Sequence, residues 1–224
     1  MSATIRRLRS AGRGNEALPE PLDEAGRAGM IASATAKLEE LFEILSIDHR
    51  NDHNTRGTPR RVARMFVEEL FAGRYAAAPR ITEFENALGY DDLIVTGPID
   101  LRSTCAHHLM PIVGHVFVGI VPARDGRIIG LSKYDRIVSH FAARLQIQEE
   151  MVKQIAEYIT QMTHPAGLAV RISAVHMCKT QRGVRASQRS RMVSTAYHGV
   201  LQDDPALKHR FLQECLGLER GVDL

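Results

Sequence analysis

No apolar run in this 224-residue chain approaches the roughly 18 residues that a membrane-spanning helix needs, so no membrane partner is expected. Cysteine is scarce. Cys105, Cys178 and Cys215 are too few and too unevenly placed for a disulfide framework in a chain this long, which points to a reducing, cytoplasmic setting. An excess of one charge is also missing: 29 basic side chains face 26 acidic ones, for a net charge of +3. Bulk electrostatics therefore give no reason to expect a nucleic-acid partner, and the arginines are not interleaved with aromatic residues that would stack on bases. Any recognition of anions must come from local clusters. Residues 1–15 hold four arginines and no acid, yet lack the apolar stretch of a secretion signal and read as a basic tail.

What is present is the composition of a soluble globular protein, 44% apolar and 25% charged, in a chain long enough for a sizeable core. Up to about Ala25 there is no apolar period, and a mobile tail over residues 1–25 is expected. From Arg27 to Leu45, the residues Ile31, Ala34, Leu38, Leu41 and Leu45 recur in steps of three and four, the stripe of an amphipathic helix. Thr58 reads as the cap of a second helix with Pro59 at its first position and Val62, Met65, Phe66, Leu70 and Phe71 on its buried face. These two helices make an arm over residues 26–75. Short β-rich runs follow between Ile81 and Pro122. Ser132 reads as the cap of a helix through Tyr134, Ile137, Val138, Phe141 and Leu145, and the next helix carries Val152, Ile155 and Ile159. In GLAVRISAVHMC, the residues Leu168, Val170, Ile172, Ala174, His176 and Cys178 share one face of a strand under the period of two. A last strand and a last helix complete an α+β domain over residues 76–224.

Four clusters carry chemistry. STCAHHLMP sets Cys105, His107 and His108 within four positions, and thiolate and imidazole are the donors zinc prefers. Alone, this cluster is only suggestive, and a buried cysteine beside two surface histidines is the other reading. HMC adds His176 and Cys178, far enough along the chain that a joint site has to be assembled by the fold. Three ligands, Cys105, His108 and Cys178, would leave a fourth tetrahedral position open for water, with His107 and His176 uncoordinated and available for proton transfer. GLSKYDR places Ser132, Lys133 and Arg136 at a helix start, where free N–H groups already favour phosphate; RGVR adds Arg182 and Arg185 close to Cys178. A solvated surface is the other reading of those cations. QIQEE offers Gln148 and Glu149, either as surface residues or as an amide and a carboxylate suited to a guanine edge.

Taken in order, TPRRVARM, STCAHHLMP, GLSKYDRIV, QIQEE and HMCKTQRGVR resemble the signature of the GTP cyclohydrolase I family over roughly residues 30 to 215. The resemblance implies a tunnelling-type α+β fold (T-fold): an antiparallel sheet with helices on one side and a helical N-terminal arm, closed into a barrel by oligomerisation. It further implies a homodecamer, a dimer of pentamers, with active sites between subunits. The implied reaction is hydrolysis of GTP by zinc-activated water to 7,8-dihydroneopterin triphosphate and formate, the first step of tetrahydrofolate biosynthesis. Cys105, His108 and Cys178 would then hold Zn²⁺. His107 would protonate the imidazole nitrogen, and His176 with Ser132 would assist the later sugar rearrangement. Gln148 and Glu149 would hold the guanine edge, while Lys133, Arg136, Arg182 and, from a neighbouring subunit, Arg61 would hold the triphosphate. One position departs from the family pattern: Ala106 stands where an acid is usual between the cysteine and the histidine pair. The alternative that this departure raises is a non-catalytic or altered-substrate nucleotide-binding homologue with structural zinc. Cys215 matches no motif and reads as a buried helix residue.

Overall fold

In the computed structural model, which describes residues 12–221, the first helix, α1 (Glu24–Ile44), begins where the Asp23 carboxylate accepts the Gly26 N–H at 2.7 Å. The expected tail at residues 1–11 lies outside the described residues. Ahead of α1 the backbone is tied down: Arg74 Nη1 donates to Glu16 O at 2.7 Å, and the Leu18 and Leu22 amides donate to Arg74 O and Tyr75 O at 2.8 and 2.9 Å. The half-buried residues of α1 include Ile31, Ala34, Leu38 and Phe42, and the helix packs along α2 (Thr58–Arg64). The cap of α2 is Gly57, in the left-handed conformation with φ 79°, rather than Thr58, whose hydroxyl instead accepts from Arg61 Nη2 at 2.6 Å. The apolar run that reads as one helix continues through a π-helical turn (Met65–Leu70) before ending as α3 (Ala72–Tyr75). Between Ala77 and Ala78 the chain divides into two compact units, of which this is the first.

The second unit opens with β1 (Glu83–Glu85), β2 (Ile94–Cys105), β3 (Pro111–Val121) and β4 (Arg127–Ile129), then α4 (Leu131–Ala142), β5 (Leu145–Gln146) and α5 (Gln148–Thr163). It closes with β6 (Gly167–His176), α6 (Met177–Thr180), β7 (Arg191–Gly199), α7 (Val200–Asp203) and α8 (Pro205–Arg220). β1 and β4 form a small antiparallel pair, and the main sheet runs β5-β2-β3-β6-β7, antiparallel throughout except for the short parallel pairing of β5 with β2. This is the α+β architecture read from the sequence. Among the described residues, no helix is long and apolar enough to cross a membrane.

Strand alternation sorts the core into two layers. Ile112, Val116 and Val118 of β3 and Leu168, Val170 and Ile172 of β6 point to one face, where α4 and α5 bring Ile137, Phe141, Ile155 and Ile159 against them. Phe117, Val121 and Ala169 point the other way and meet Leu201, Phe211 and Cys215, so α8 covers part of the second face. Gly119 permits that approach, because a Cβ there would lie 2.5 Å from the Phe211 ring. Cys215 is buried as expected, and burial pushes its thiol up to about 12. Two expectations change. Ser132 sits in the first turn of α4, capped at Gly130 without a side-chain bond, and Leu145 belongs to β5 because the helix stops at Ala142.

Phe211→Ala is expected to cost about 3–5 kcal/mol, since it empties the middle of the second layer; a denaturant midpoint shift worth less than about 1 kcal/mol would show that α8 is not held by this ring. A pH effect is expected from His140. Burial, aided by Arg144, whose Nη2 lies 2.7 Å from Nε2, lowers its pKa from 6.5 to about 4. The unfolded chain therefore binds the extra proton first, and stability is full above about pH 6.5 and is lost as pH falls toward 4. After allowance for solvent screening the loss between pH 7 and 5 is about 1 kcal/mol. His140→Gln should flatten that part of the stability profile measured by denaturant unfolding.

Candidate metal centre

The sheet register gathers the chemistry at one end. Thr104 of β2 pairs with Pro111 of β3, Ile112 pairs with His176 of β6, and Cys105 pairs with Gln146 of β5. The end of β2, the start of β3 and the end of β6 therefore lie side by side. The connection between β2 and β3 is tight: Cys105 N donates to Met110 O at 2.8 Å, Leu109 N donates to Cys105 O at 2.9 Å, and Leu109 takes a left-handed φ of 54°. That turn leaves His107 and His108 exposed while Cys105 stays 4% exposed. After His176 the chain leaves the strand and turns into α6, which carries Cys178. Sequence alternation predicts a strand through Cys178; the same convergence is reached by one helical turn.

The ligand atoms of Cys105, His176 and Cys178 all lie within 4.8 Å of one another. Two sulfurs and one imidazole nitrogen suit zinc, whose tetrahedral ligands at about 2.3 Å from the ion stand about 3.8 Å apart. Small side-chain rotations close that difference. His108, the imidazole expected in the ligand set, is not a member of this group, and its ring centroid lies 6.4 Å from that of His107. His107 Nδ1 is 3.9 Å from Cys105 Sγ.

Electrostatics favour a cation here. Burial pushes the Cys178 thiol up, and the neighbouring Cys105 thiol adds to the effect, while Arg182 opposes it. Burial lowers the His176 pKa; the charge of Glu149 raises it and that of Lys179 lowers it further. Two adjoining sulfurs cannot both ionise cheaply without a positive charge between them, and a bound divalent ion supplies one.

The remaining predicted residues fall into separate places. Gln148 is fully buried, with its carboxamide bonded to β6 and β7 and to the His176 ring, whereas Glu149 beside it is exposed. Arg182 is exposed just beyond α6, and its charge is felt at Cys178. Ser132, Lys133 and Arg136 lie in the first two turns of α4, whereas the last residue of that helix is tied to β2 two positions before Cys105: Ala142 O accepts from Ser103 Oγ at 2.7 Å. Ten residues of helix separate Ser132 from that contact, roughly 15 Å along the axis. Arg61 belongs to the N-terminal unit, where it donates to Thr58 Oγ1 and to the carbonyls of Arg56 and Asn54. Sequence reasoning missed Gln146. Its buried Nε2 donates to Phe141 O at 2.6 Å, tying the end of α4 to the strand beside Cys105, and nothing in its neighbours along the chain marks that role.

Comparison with known proteins finds likenesses in sequence and in structure. The family model for GTP cyclohydrolase I matches residues 34–216. The GTP cyclohydrolase 1 of Shewanella baltica is 38% identical over 178 residues, covering 79% of this chain and 81% of that one. That of Shewanella loihica is 39% identical over 176 residues, covering 78% and 80%. Among solved structures, the archaeosine synthase QueF-Like in the apo form aligns with 49% of this chain and 94% of its own at 14% identity, with a TM-score of 0.38.

A zinc titration with a competing chelator should find one ion per chain. Cys105→Ala and Cys178→Ala should each weaken binding by more than 100-fold, since each removes one of the convergent sulfurs. Retention of wild-type affinity by either variant would rule out the site.

Proposed function

The chain belongs to the GTP cyclohydrolase I family, and we propose that it hydrolyses GTP to formate and 7,8-dihydroneopterin triphosphate, at the entry to tetrahydrofolate biosynthesis. The observation that carries this reading is the meeting of Cys105 and Cys178 with an imidazole at one end of the sheet. Zinc, when bound, supplies a Lewis acid able to lower the pKa of a water from 15.7 toward about 7. Everything else falls to the chain. Exposed His107 protonates the imidazole nitrogen of guanine as the ring opens, and Glu149 accepts N–H bonds from the pyrimidine edge. Arg182, close to the thiols, takes part of the triphosphate charge. After formate leaves, His176 moves protons during the sugar rearrangement.

Ser132, Lys133 and Arg136 complete the site from a second copy of the chain, with Arg61 from a further copy. Support for a site between subunits comes from α4, whose last residue, Ala142, is bonded to Ser103 of its own chain while Ser132 and Lys133 stand at the opposite end of the helix. A homodecamer in which the sheets close into a barrel accommodates this division. Reduced thiols at Cys105 and Cys178 suit a cytoplasmic location.

His108 is the third zinc ligand in this reading. A second reading makes His176 the third donor, and the observed grouping of His176 with both thiols favours it. Zinc affinity separates the two: the true ligand's alanine variant loses it and the other's keeps it. Ala106 offers no carboxylate to orient a water or a ribose hydroxyl, so turnover below that of relatives carrying an acid there is consistent with the proposal.

The decisive measurement is incubation of zinc-loaded protein with GTP, following formate together with a pterin that fluoresces after oxidation. Equal amounts of both are expected, and Cys178→Ala should abolish both. Binding of GTP and zinc without formate would instead establish a non-catalytic homologue.

A further inference from the structure

Gln148, the first residue of α5, has no exposed surface, and its carboxamide is engaged at both ends. Its Nε2 lies 3.1 Å from Met192 O, 3.0 Å from Ser194 Oγ and 3.4 Å from Ile172 O. Its Oε1 lies 2.8 Å from His176 Nε2. The two ends of a carboxamide have nearly the same shape, so partners decide which is which. Backbone carbonyls only accept. The end facing Met192 and Ile172 must be the NH₂, and the end facing His176 must be the oxygen. That oxygen in turn only accepts, so His176 Nε2 carries a hydrogen. A neutral imidazole protonated at Nε2 keeps its lone pair on Nδ1.

We propose that Gln148 is a positioning residue that holds His176 in the Nε2–H tautomer, leaving Nδ1 as the one nitrogen able to take a proton or a metal ion, and that Gln148 does not contact the base. This deepens the reading of the site as a cyclohydrolase centre. The carbonyls of β6 and β7 set the amide, and the amide sets the ring. With both amide hydrogens turned to the sheet, its oxygen to the ring and no surface exposed, Gln148 has nothing left for a guanine edge; Glu149, next to it and exposed, keeps that role.

The test uses full-length, zinc-loaded protein with ¹⁵N-labelled histidine, the His176 signals being identified by their loss in His176→Asn. Solid-state ¹⁵N spectra without substrate should show Nε2 bearing hydrogen and Nδ1 free of it or metal-bound. Gln148→Met, of similar shape and without an acceptor, should release the tautomer and lower kcat by 10- to 100-fold with little change in KM for GTP. Gln148→Glu, which restores an acceptor opposite the ring, should recover the Nε2–H signal. Hydrogen on Nδ1 in the wild type overturns the proposal, as does a Gln148→Met variant with unchanged tautomer and kcat but a raised KM. Because the tautomer is read without GTP, a wild type that releases no formate would defeat the cyclohydrolase reading while the spectra still decide the role of Gln148.

Discussion

Everything at this site depends on the pairing register of three antiparallel strands. Thr104 opposite Pro111 and Ile112 opposite His176 bring the end of β2 and the end of β6 to one end of the sheet, although Cys105 and Cys178 are far apart in sequence. A slip of one residue in either ladder would turn the apolar side chains of β3 to the wrong face and move the thiols out of step with each other. The register is held by what lies beneath it. Ile112, Val116, Ile172 and Ala174 are buried with no exposed surface against α4 and α5, so the geometry of the centre is set by the packing of the core.

The same packing creates the electrostatic condition of the site. Cys178 is half-buried beside the buried Cys105, and burial together with that adjoining thiol favours the neutral form of Cys178. His176 is likewise pushed toward its neutral, metal-competent form by burial. Polar groups inside this region are not left to solvent: Gln146 ties α4 to the strand edge and Gln148 ties α5 to β6, β7 and the ring. These amides act as rigid spacers whose hydrogen bonds to backbone decide where neighbouring side chains point.

Much of this was legible in the chain. The period of two in β3 and β6 and the period of three to four in α4 and α5 are strong because one face of each element is fully buried. Local ends of elements were less legible. Gly57 and Gly130 cap their helices by backbone conformation, without the side-chain hydrogen bonds that the hydroxyls of Thr58 and Ser132 suggested. Cys178 lies in a helical turn where alternation alone would extend the strand, because the ladder with β3 runs out at His176.

For the site, residue identity was enough to single out Cys105, Cys178 and the histidines, since few side chains bind a borderline-soft cation, and five ordered motifs were enough to point to the family. The sequence by itself determined which donors exist and which segments carry them. Tertiary structure alone decided which imidazole stands with the two sulfurs and that Gln148 is spent inside the fold. It also tied the last residue of α4, rather than the turn that carries Ser132 and Lys133, to the strand that ends in Cys105. The physical reason is that ligand distance and side-chain exposure are properties of strand register and helix direction, and neither is encoded in any one stretch of residues.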